Sequence, residues 1–86
     1  MQKYLVEFLG TLFFIYVILA TGDALAIGAA LALAIIVGSP ISGSNYNPAV
    51  TLMMYSAGKL PQKDVMPYIV AQIAGALAAY QLYKRI

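Results

Sequence analysis

Residues 39–51 read SPISGSNYNPAVT and interrupt a long apolar part of the chain. Residues 24–58 contain no Asp, Glu, Lys or Arg. As one helix they would extend about 52 Å, far beyond a hydrocarbon core of about 30 Å, so the helix must break. Because Pro40 removes a helix donor and disfavours helical backbone at Ser39, the sequence predicts that a helix ends at Ser39.

The composition excludes a soluble globule. Of the 86 residues, 63% are hydrophobic and 9% are charged, against about 25% charged in an ordinary soluble domain. The chain has no Cys and no His, which excludes thiolate and imidazole catalysis and the usual zinc sites. A net charge of +2 without a basic run gives no support for nucleic acid as a partner. We therefore expect a multi-pass protein of the cell membrane, with the lipid bilayer as its solvent, and no catalytic residue, metal or cofactor.

The apolar segments are long enough to cross a bilayer as helices. Lipid offers the backbone no hydrogen-bond partner and no segment alternates like a barrel strand, so each crossing must be helical. Three spans are predicted, over about 4–22, 24–39 and 65–83, with Asp23 as the N-cap of the second. Two ladders of small residues lie in the second and third spans: Ala24, Gly28 and Ala32, and Ala71, Gly75 and Ala79. Such ladders allow close helix packing in membranes, although Ala-rich helices also contain them by chance.

A fourth, shorter helix is predicted after the polar loop. Asn47 is a favoured N-cap and Pro48 is tolerated at the first helical position, so the two restart a helix. We expect it over about 47–58, ending near Gly58. This length is only about half a crossing, and the loop before it must be covered by protein or line a water-filled cavity. The fold class expected is thus an all-α membrane protein with three transmembrane helices and one re-entrant half-helix.

The motif and its surroundings resemble the aquaporin and glycerol-facilitator (major intrinsic protein) family. The tripeptide Asn47-Pro48-Ala49 alone is a weak signal, but three further segments resemble family signatures in the family's order: residues 7–11 (EFLGT), 58–61 (GKLP) and 71–75 (AQIAG). The resemblance covers nearly the whole chain. It implies that residues 1–86 form a single half-repeat with one Asn-Pro-Ala motif.

The half-helix itself suggests a pore constriction formed by Asn47, Pro48 and Ala49. Its N-terminus presents free N–H groups and the positive end of a dipole, which repel cations and protons. The amide of Asn47 can donate hydrogen bonds to a neutral molecule that has lost water. The alternative is that Asn47 is only a cap and Pro48 only a helix start.

Two polar residues, Glu7 and Gln72, lie inside predicted spans, where polar side chains are costly. A carboxylate at Glu7 costs about 2.5–3.5 kcal/mol within a span unless it faces protein or water. The resemblance implies that Glu7 accepts hydrogen bonds from the loop and braces it, and that Gln72 does the same; an interfacial Glu7 and a simple interhelical bond of Gln72 are the alternatives. Four tyrosines near the predicted span ends are interpreted as interfacial anchors: Tyr4, Tyr68, Tyr80 and Tyr83.

The chain departs from the family in carrying one repeat, where the family has two of opposite orientation that meet at mid-membrane. One repeat cannot enclose a pore, so we expect an inverted second copy, as an antiparallel homodimer or higher oligomer. The charge bias is weak enough for insertion in both orientations. Lys3, Lys59 and Lys63 lie at one end, against Lys84 and Arg85 at the other.

A second departure concerns selectivity. Where the family has a filter arginine after its second motif, this chain has Val50, and the other filter-like positions implied by the resemblance are Ile27, Ile35 and Ser44. We expect an apolar constriction with Ser44 as its main polar wall, low solute discrimination and weak proton exclusion.

The function expected is a passive channel subunit for water or small neutral solutes such as glycerol, not an enzyme. Two other classes stay open. One is a non-conducting assembly partner of a full-length channel, and the other is a small pore protein that depolarises cells.

Overall fold

The computed structural model describes residues 2–85, which form four helices and no strand. In chain order they are α1 (Gln2–Thr21), α2 (Ala24–Ser42), α3 (Pro48–Ser56) and α4 (Gln62–Arg85). Three of them, α1, α2 and α4, are long and apolar enough to cross a membrane. The nine residues of α3 extend only about 14 Å. The predicted all-α class with three candidate spans is confirmed.

The end of α2 differs from the prediction, because the helix continues through Pro40 to Ser42. The prediction that the helix ends at Ser39 was wrong. A proline removes its own N–H bond and crowds the carbonyl of residue i−4, but only two residues follow Pro40 before the helix ends, so the disruption is confined to the last turn. Here Gly43 closes it: the residue is left-handed, with φ 85°, and its N–H donates to Ser39 O at 3.1 Å.

Both predicted N-caps are confirmed. The Asp23 carboxylate accepts from Ala26 N at 2.8 Å, and Asn47 Oδ1 accepts from Ala49 N at 2.7 Å. The short helix α3 ends at Ser56 with Ala57 as its C-cap, and Gly58 follows in a left-handed conformation with φ 77°. Gly58 is therefore one residue beyond the cap.

The helices α1 and α4 run parallel to each other. The rings of Tyr4 and Tyr68 lie 5.9 Å apart at the start of both helices, and those of Tyr16 and Tyr83 lie 6.3 Å apart towards their ends. Both pairs meet edge to face, a favourable geometry for aromatic rings. Since α1 and α2 are joined only by residues 22–23, α2 returns antiparallel to α1.

Small residues set the distance between α1 and α4. Gly75 is buried, and a Cβ atom there would lie 2.5 Å from Phe8 O of α1. Ala79, one turn later on the same face, is fully buried. The predicted ladder in α4 therefore allows the two helices to pack closely.

The ladder predicted in α2 makes no such contact within residues 2–85. Ala24, Gly28 and Ala32 are exposed, and a Cβ on Gly28 would meet nothing within 4 Å. A different set of small residues on α2 is buried: Ala30, Ala34 and Gly38. Because α2 is Ala-rich around its whole circumference, spacing alone could not identify the packed face.

The short helix α3 packs against α4, and among the described residues none of its Cα atoms lies within 8 Å of a Cα atom of α2. The two are connected only by the loop over residues 43–47. One side of α2 and one side of α3 are consequently open, and the loop lies between them.

Candidate functional site

The loop over residues 43–47 is polar but buried. Ser44, Asn45 and Tyr46 are each less than a tenth exposed. Ser44 and Tyr46 both have left-handed backbone, with φ 54° and 57°. This conformation costs a residue with a Cβ roughly 1–2 kcal/mol. The loop must therefore be held by contacts from the helices around it.

The main contact is the carboxylate of Glu7 in α1, which is fully buried. Its Oε2 accepts from Ser42 Oγ at 2.7 Å and from Asn45 N at 3.0 Å. Its Oε1 accepts from Tyr46 N at 2.7 Å and from Gln72 Nε2 at 2.9 Å. Within residues 2–85 Glu7 forms no ion pair. Four donors thus surround the carboxylate, a pattern that does not match an interfacial glutamate facing water.

Gln72 extends this network from α4 to α3. Its Nε2 also donates to Thr51 Oγ1 at 2.7 Å, and Asn45 Nδ2 reaches the same oxygen at 3.3 Å. Gln72 and Thr51 are both buried. The carboxylate of Glu7 fixes the orientation of the Gln72 amide, because its nitrogen has to face an acceptor. Gln72 Oε1 consequently lies buried without a partner among the described residues.

Tyr68 belongs to this buried cluster and not to the membrane interface. It is 2% exposed, and its hydroxyl donates to Ser42 O at 2.7 Å, at the end of α2. The interpretation of Tyr68 as an interfacial anchor was wrong, because a tyrosine nearly two turns inside α4 can equally face a neighbouring helix. Tyr80 and Tyr83, in contrast, are exposed.

On the other side of the loop, the side chain of Tyr46 reaches into the contact between α1 and α2. Its hydroxyl donates to Ala34 O at 2.8 Å and lies 3.2 Å from Ser44 Oγ. The side chain occupies space left by two glycines, since a Cβ on Gly10 would collide with the ring and a Cβ on Gly38 would collide with the hydroxyl. The loop is therefore held both through its backbone and through this side chain.

Asn47, Pro48 and Ala49 lie together at the start of α3, on the open side of the loop. Asn47 and Ala49 are exposed and Pro48 is half-buried. Asn47 accepts the capping hydrogen bond with its Oδ1. This bond fixes the orientation of the side-chain amide, so its nitrogen can donate to an acceptor outside the chain.

The four filter-like positions lie on three different elements. Ile27 and Ile35 are two turns apart on α2, Ser44 is in the loop and Val50 is in the first turn of α3. The structure brings Ser44 and Ile35 together, with Ser44 Oγ donating to Ile35 O at 3.1 Å. The Ser44 hydroxyl is thus used inside the protein. Val50 lies apart from the positions on α2, since the Cα atoms of α3 lie more than 8 Å from those of α2 in the described chain.

Sequence reasoning did not identify Ser42, Thr51 or the side chain of Tyr46. Ser and Thr are common in membrane helices, and neither residue carries a charge that would demand an explanation. A signal was present for Tyr46: a large aromatic residue within a stretch of small polar ones needs space, and Gly10 and Gly38 provide it.

Comparison with known proteins identifies a matching family and several relatives. A family model described as "Major intrinsic protein" matches residues 1–86. The chain is 46% identical over 93 residues to "Glycerol uptake facilitator protein-like 6" of Lactiplantibacillus plantarum, a match that covers 98% of this chain and 43% of that protein.

Two further relatives match shorter parts of the chain. It is 54% identical over 59 residues to "Aquaporin Z" of Brucella melitensis, covering 67% of this chain and 25% of the relative. It is 38% identical over 60 residues to "Aquaglyceroporin AqpS" of Rhizobium meliloti, covering 70% and 26%. The chain thus spans less than half the length of each of these curated relatives.

Proposed function

Because the chain belongs to the major intrinsic protein family, whose members are integral multi-pass membrane proteins, we propose that it is one repeat of a passive channel for water or small neutral solutes such as glycerol. The observation that carries this proposal is the loop before α3. Glu7 holds it from one side, and its end presents the exposed amide of Asn47. The names of the relatives, a glycerol uptake facilitator, an aquaporin and an aquaglyceroporin, agree with this class of solute.

The proposed mechanism uses the N-terminus of α3. The first N–H groups of a helix and its dipole give this end a positive potential of roughly half a charge. A cation approaching Asn47 is repelled, whereas water or an alcohol can accept a hydrogen bond from its amide nitrogen. Pro48 contributes no N–H and leaves the orientation of Asn47 to the cap. Ala49 keeps the constriction narrow without adding a polar group.

A single repeat leaves its channel surface open, so the proposal includes an inverted partner repeat. The exposed sides of α2 and α3, whose Cα atoms lie more than 8 Å apart in the described chain, are where this partner would close the pore. We propose a second copy of this chain as the partner, in an antiparallel homodimer or higher oligomer. The partner would also cover Gly43 and Asn47, the exposed ends of the loop, because lipid cannot satisfy non-helical backbone.

The charges of the folded chain agree with insertion in both orientations. Lys3, Lys59 and Lys63 lie at one end, against Lys84 and Arg85 at the other. Three against two is only a weak bias by the positive-inside rule, which counts Lys and Arg.

Selectivity is proposed to be low. Ile27, Ile35 and Val50 would form an apolar constriction, and the hydroxyl of Ser44 contributes little polarity to it because it is bonded to α2 carbonyls. Such a wall has no fixed cation to repel protons and few groups to distinguish one neutral solute from another.

The test is solute flux in vesicles that contain only this chain. Stopped-flow light scattering should show faster water and glycerol equilibration than in empty vesicles. Asn47→Asp should reduce the flux about two- to tenfold, because the amide donors to the solute are lost and one lost hydrogen bond is worth about 0.5–1.5 kcal/mol. Gln81→Glu, an exposed amide-to-carboxylate change beside Arg85, serves as the matched control and should conduct normally.

Other outcomes would replace the proposal. Flux no faster than in empty vesicles would indicate a non-conducting assembly partner. Ionic current or dye leakage would indicate a depolarising pore.

A further inference from the structure

Tyr46 is bonded to α1 through its backbone and to α2 through its side chain. Its N–H donates to Glu7 Oε1 of α1 at 2.7 Å. Its hydroxyl donates to Ala34 O of α2 at 2.8 Å. Between these two points the side chain fills the space that Gly10 and Gly38 leave open at the contact between α1 and α2. Tyr46 is 4% exposed, so it lies inside the protein and not along an open channel surface.

This anchoring acts on a strained piece of backbone. Tyr46 has φ 57° and Ser44 has φ 54°, both in the left-handed region that residues with a Cβ rarely adopt. The two side chains meet, with Ser44 Oγ 3.2 Å from Tyr46 OH and 3.1 Å from Ile35 O. Strained residues persist only where surrounding contacts determine them. The hydroxyl contacts to α2 supply such a constraint next to Asn47.

We infer that Tyr46 is a positioning residue for the channel constriction: its hydroxyl fastens the loop to α2 and so fixes where Asn47 lies. The inference rests on the proposed channel function. This role of Tyr46 differs from that of Glu7. Glu7 accepts hydrogen bonds from backbone N–H groups, and it would accept them whichever side chain stood at position 46. The Tyr46 hydroxyl therefore limits how far the loop can move at the constriction. It thereby sets the ratio of permeability for the larger glycerol to permeability for water.

The experiment uses Tyr46→Phe, which keeps the ring in its space and removes only the hydroxyl. One lost hydrogen bond loosens the loop, so the ratio of glycerol to water permeability should rise by about two- to tenfold. Tyr80→Phe is the matched control, because Tyr80 is about half exposed on α4 and outside the loop cluster. Its permeability ratio should equal that of the wild type. Size-exclusion profiles and thermal unfolding of each variant check that the fold is kept.

A double-mutant cycle tests the contact itself. In Gly38→Ala the new methyl group would collide with the Tyr46 hydroxyl and would lie 2.7 Å from Ser44 Oγ. Removing the hydroxyl relieves part of this collision, so Gly38→Ala should lower the melting temperature less in the Tyr46→Phe background than in the wild type. Additive effects of the two substitutions would overturn the assigned contact.

The outcomes separate the inference from the function on which it rests. Non-additive stability together with a raised glycerol-to-water ratio supports the inference. Non-additive stability with an unchanged ratio in conducting vesicles overturns it, because Tyr46 would then only pack. Wild-type vesicles no faster than empty ones would overturn the proposed channel, and the inference with it.

Discussion

Replacing Glu7 by glutamine tests whether its carboxylate holds the loop. Glutamine has the same shape, but one of its two terminal atoms donates where both carboxylate oxygens accept. With the nitrogen in the place of Oε2, it opposes the N–H of Asn45; in the place of Oε1, it opposes the N–H of Tyr46. Ser42 and Gln72 can turn to present an acceptor, but a backbone N–H cannot. Either orientation therefore leaves one buried N–H without a partner.

The expected increase in loop opening follows from that one unpaired backbone N–H group. A buried donor left unsatisfied costs about 1–3 kcal/mol. Opening of the loop should then be about 5- to 150-fold more frequent. The frequency of loop opening is measured by amide hydrogen exchange with mass spectrometry, in the peptide that contains Asn45 and Tyr46. We expect Glu7→Gln to exchange faster in this peptide while α2 remains protected.

Asp23→Asn is the control, because it makes the same chemical change at an exposed N-cap. Asn caps a helix as well as Asp does, so exchange in the loop should not change. If Glu7→Gln left loop exchange within about twofold of the wild type, as expected for Asp23→Asn, the carboxylate would not be what holds the loop.

Each of the two ladders of small residues contains one glycine, and these two glycines give a matched pair of further predictions. Gly75→Ala places a methyl group 2.5 Å from Phe8 O, a backbone atom that cannot move alone, so it should lower the free energy of unfolding by about 1–3 kcal/mol. Gly28→Ala meets nothing within 4 Å and should leave the stability of the isolated chain unchanged or raise it by up to about 1 kcal/mol through helix propensity. Thermal unfolding in detergent measures both, and equal losses would contradict the packing described for α1 and α4.

Much of the fold followed from the sequence, because the thickness of a bilayer limits what uncharged segments can do. The charge-free run over 24–58 had to break, and the cap at Asn47 followed by Pro48 correctly placed the start of α3. Pro40 was misleading because it lies in the last turn of α2, where one lost N–H bond is tolerated and Gly43 ends the helix.

The residues around the loop were predictable only where the membrane makes polarity costly. Glu7 and Gln72 were conspicuous as strongly polar groups in apolar spans, and the structure places both against the loop. Thr51 was not, because a hydroxyl adds little cost to a helix. Tyr68 was assigned to the interface since its distance from the helix end does not reveal which neighbour it faces. Such details depend on helix packing, which spacing alone does not determine.

Two inverted copies are proposed to meet at the tips of α3, and cysteine cross-linking tests this arrangement most directly. The chain has no Cys, so Ala49→Cys introduces a single thiol at the tip and Ala57→Cys a single thiol at the far end of the same helix. A disulfide needs Cα atoms closer than about 7 Å, and in an inverted pair the two Ala57 positions are separated by two lengths of α3, about 27 Å. Mild oxidation in membranes should trap a dimer through position 49 and none through position 57. A dimer through position 57 alone, or none at position 49, would contradict the paired half-helix channel.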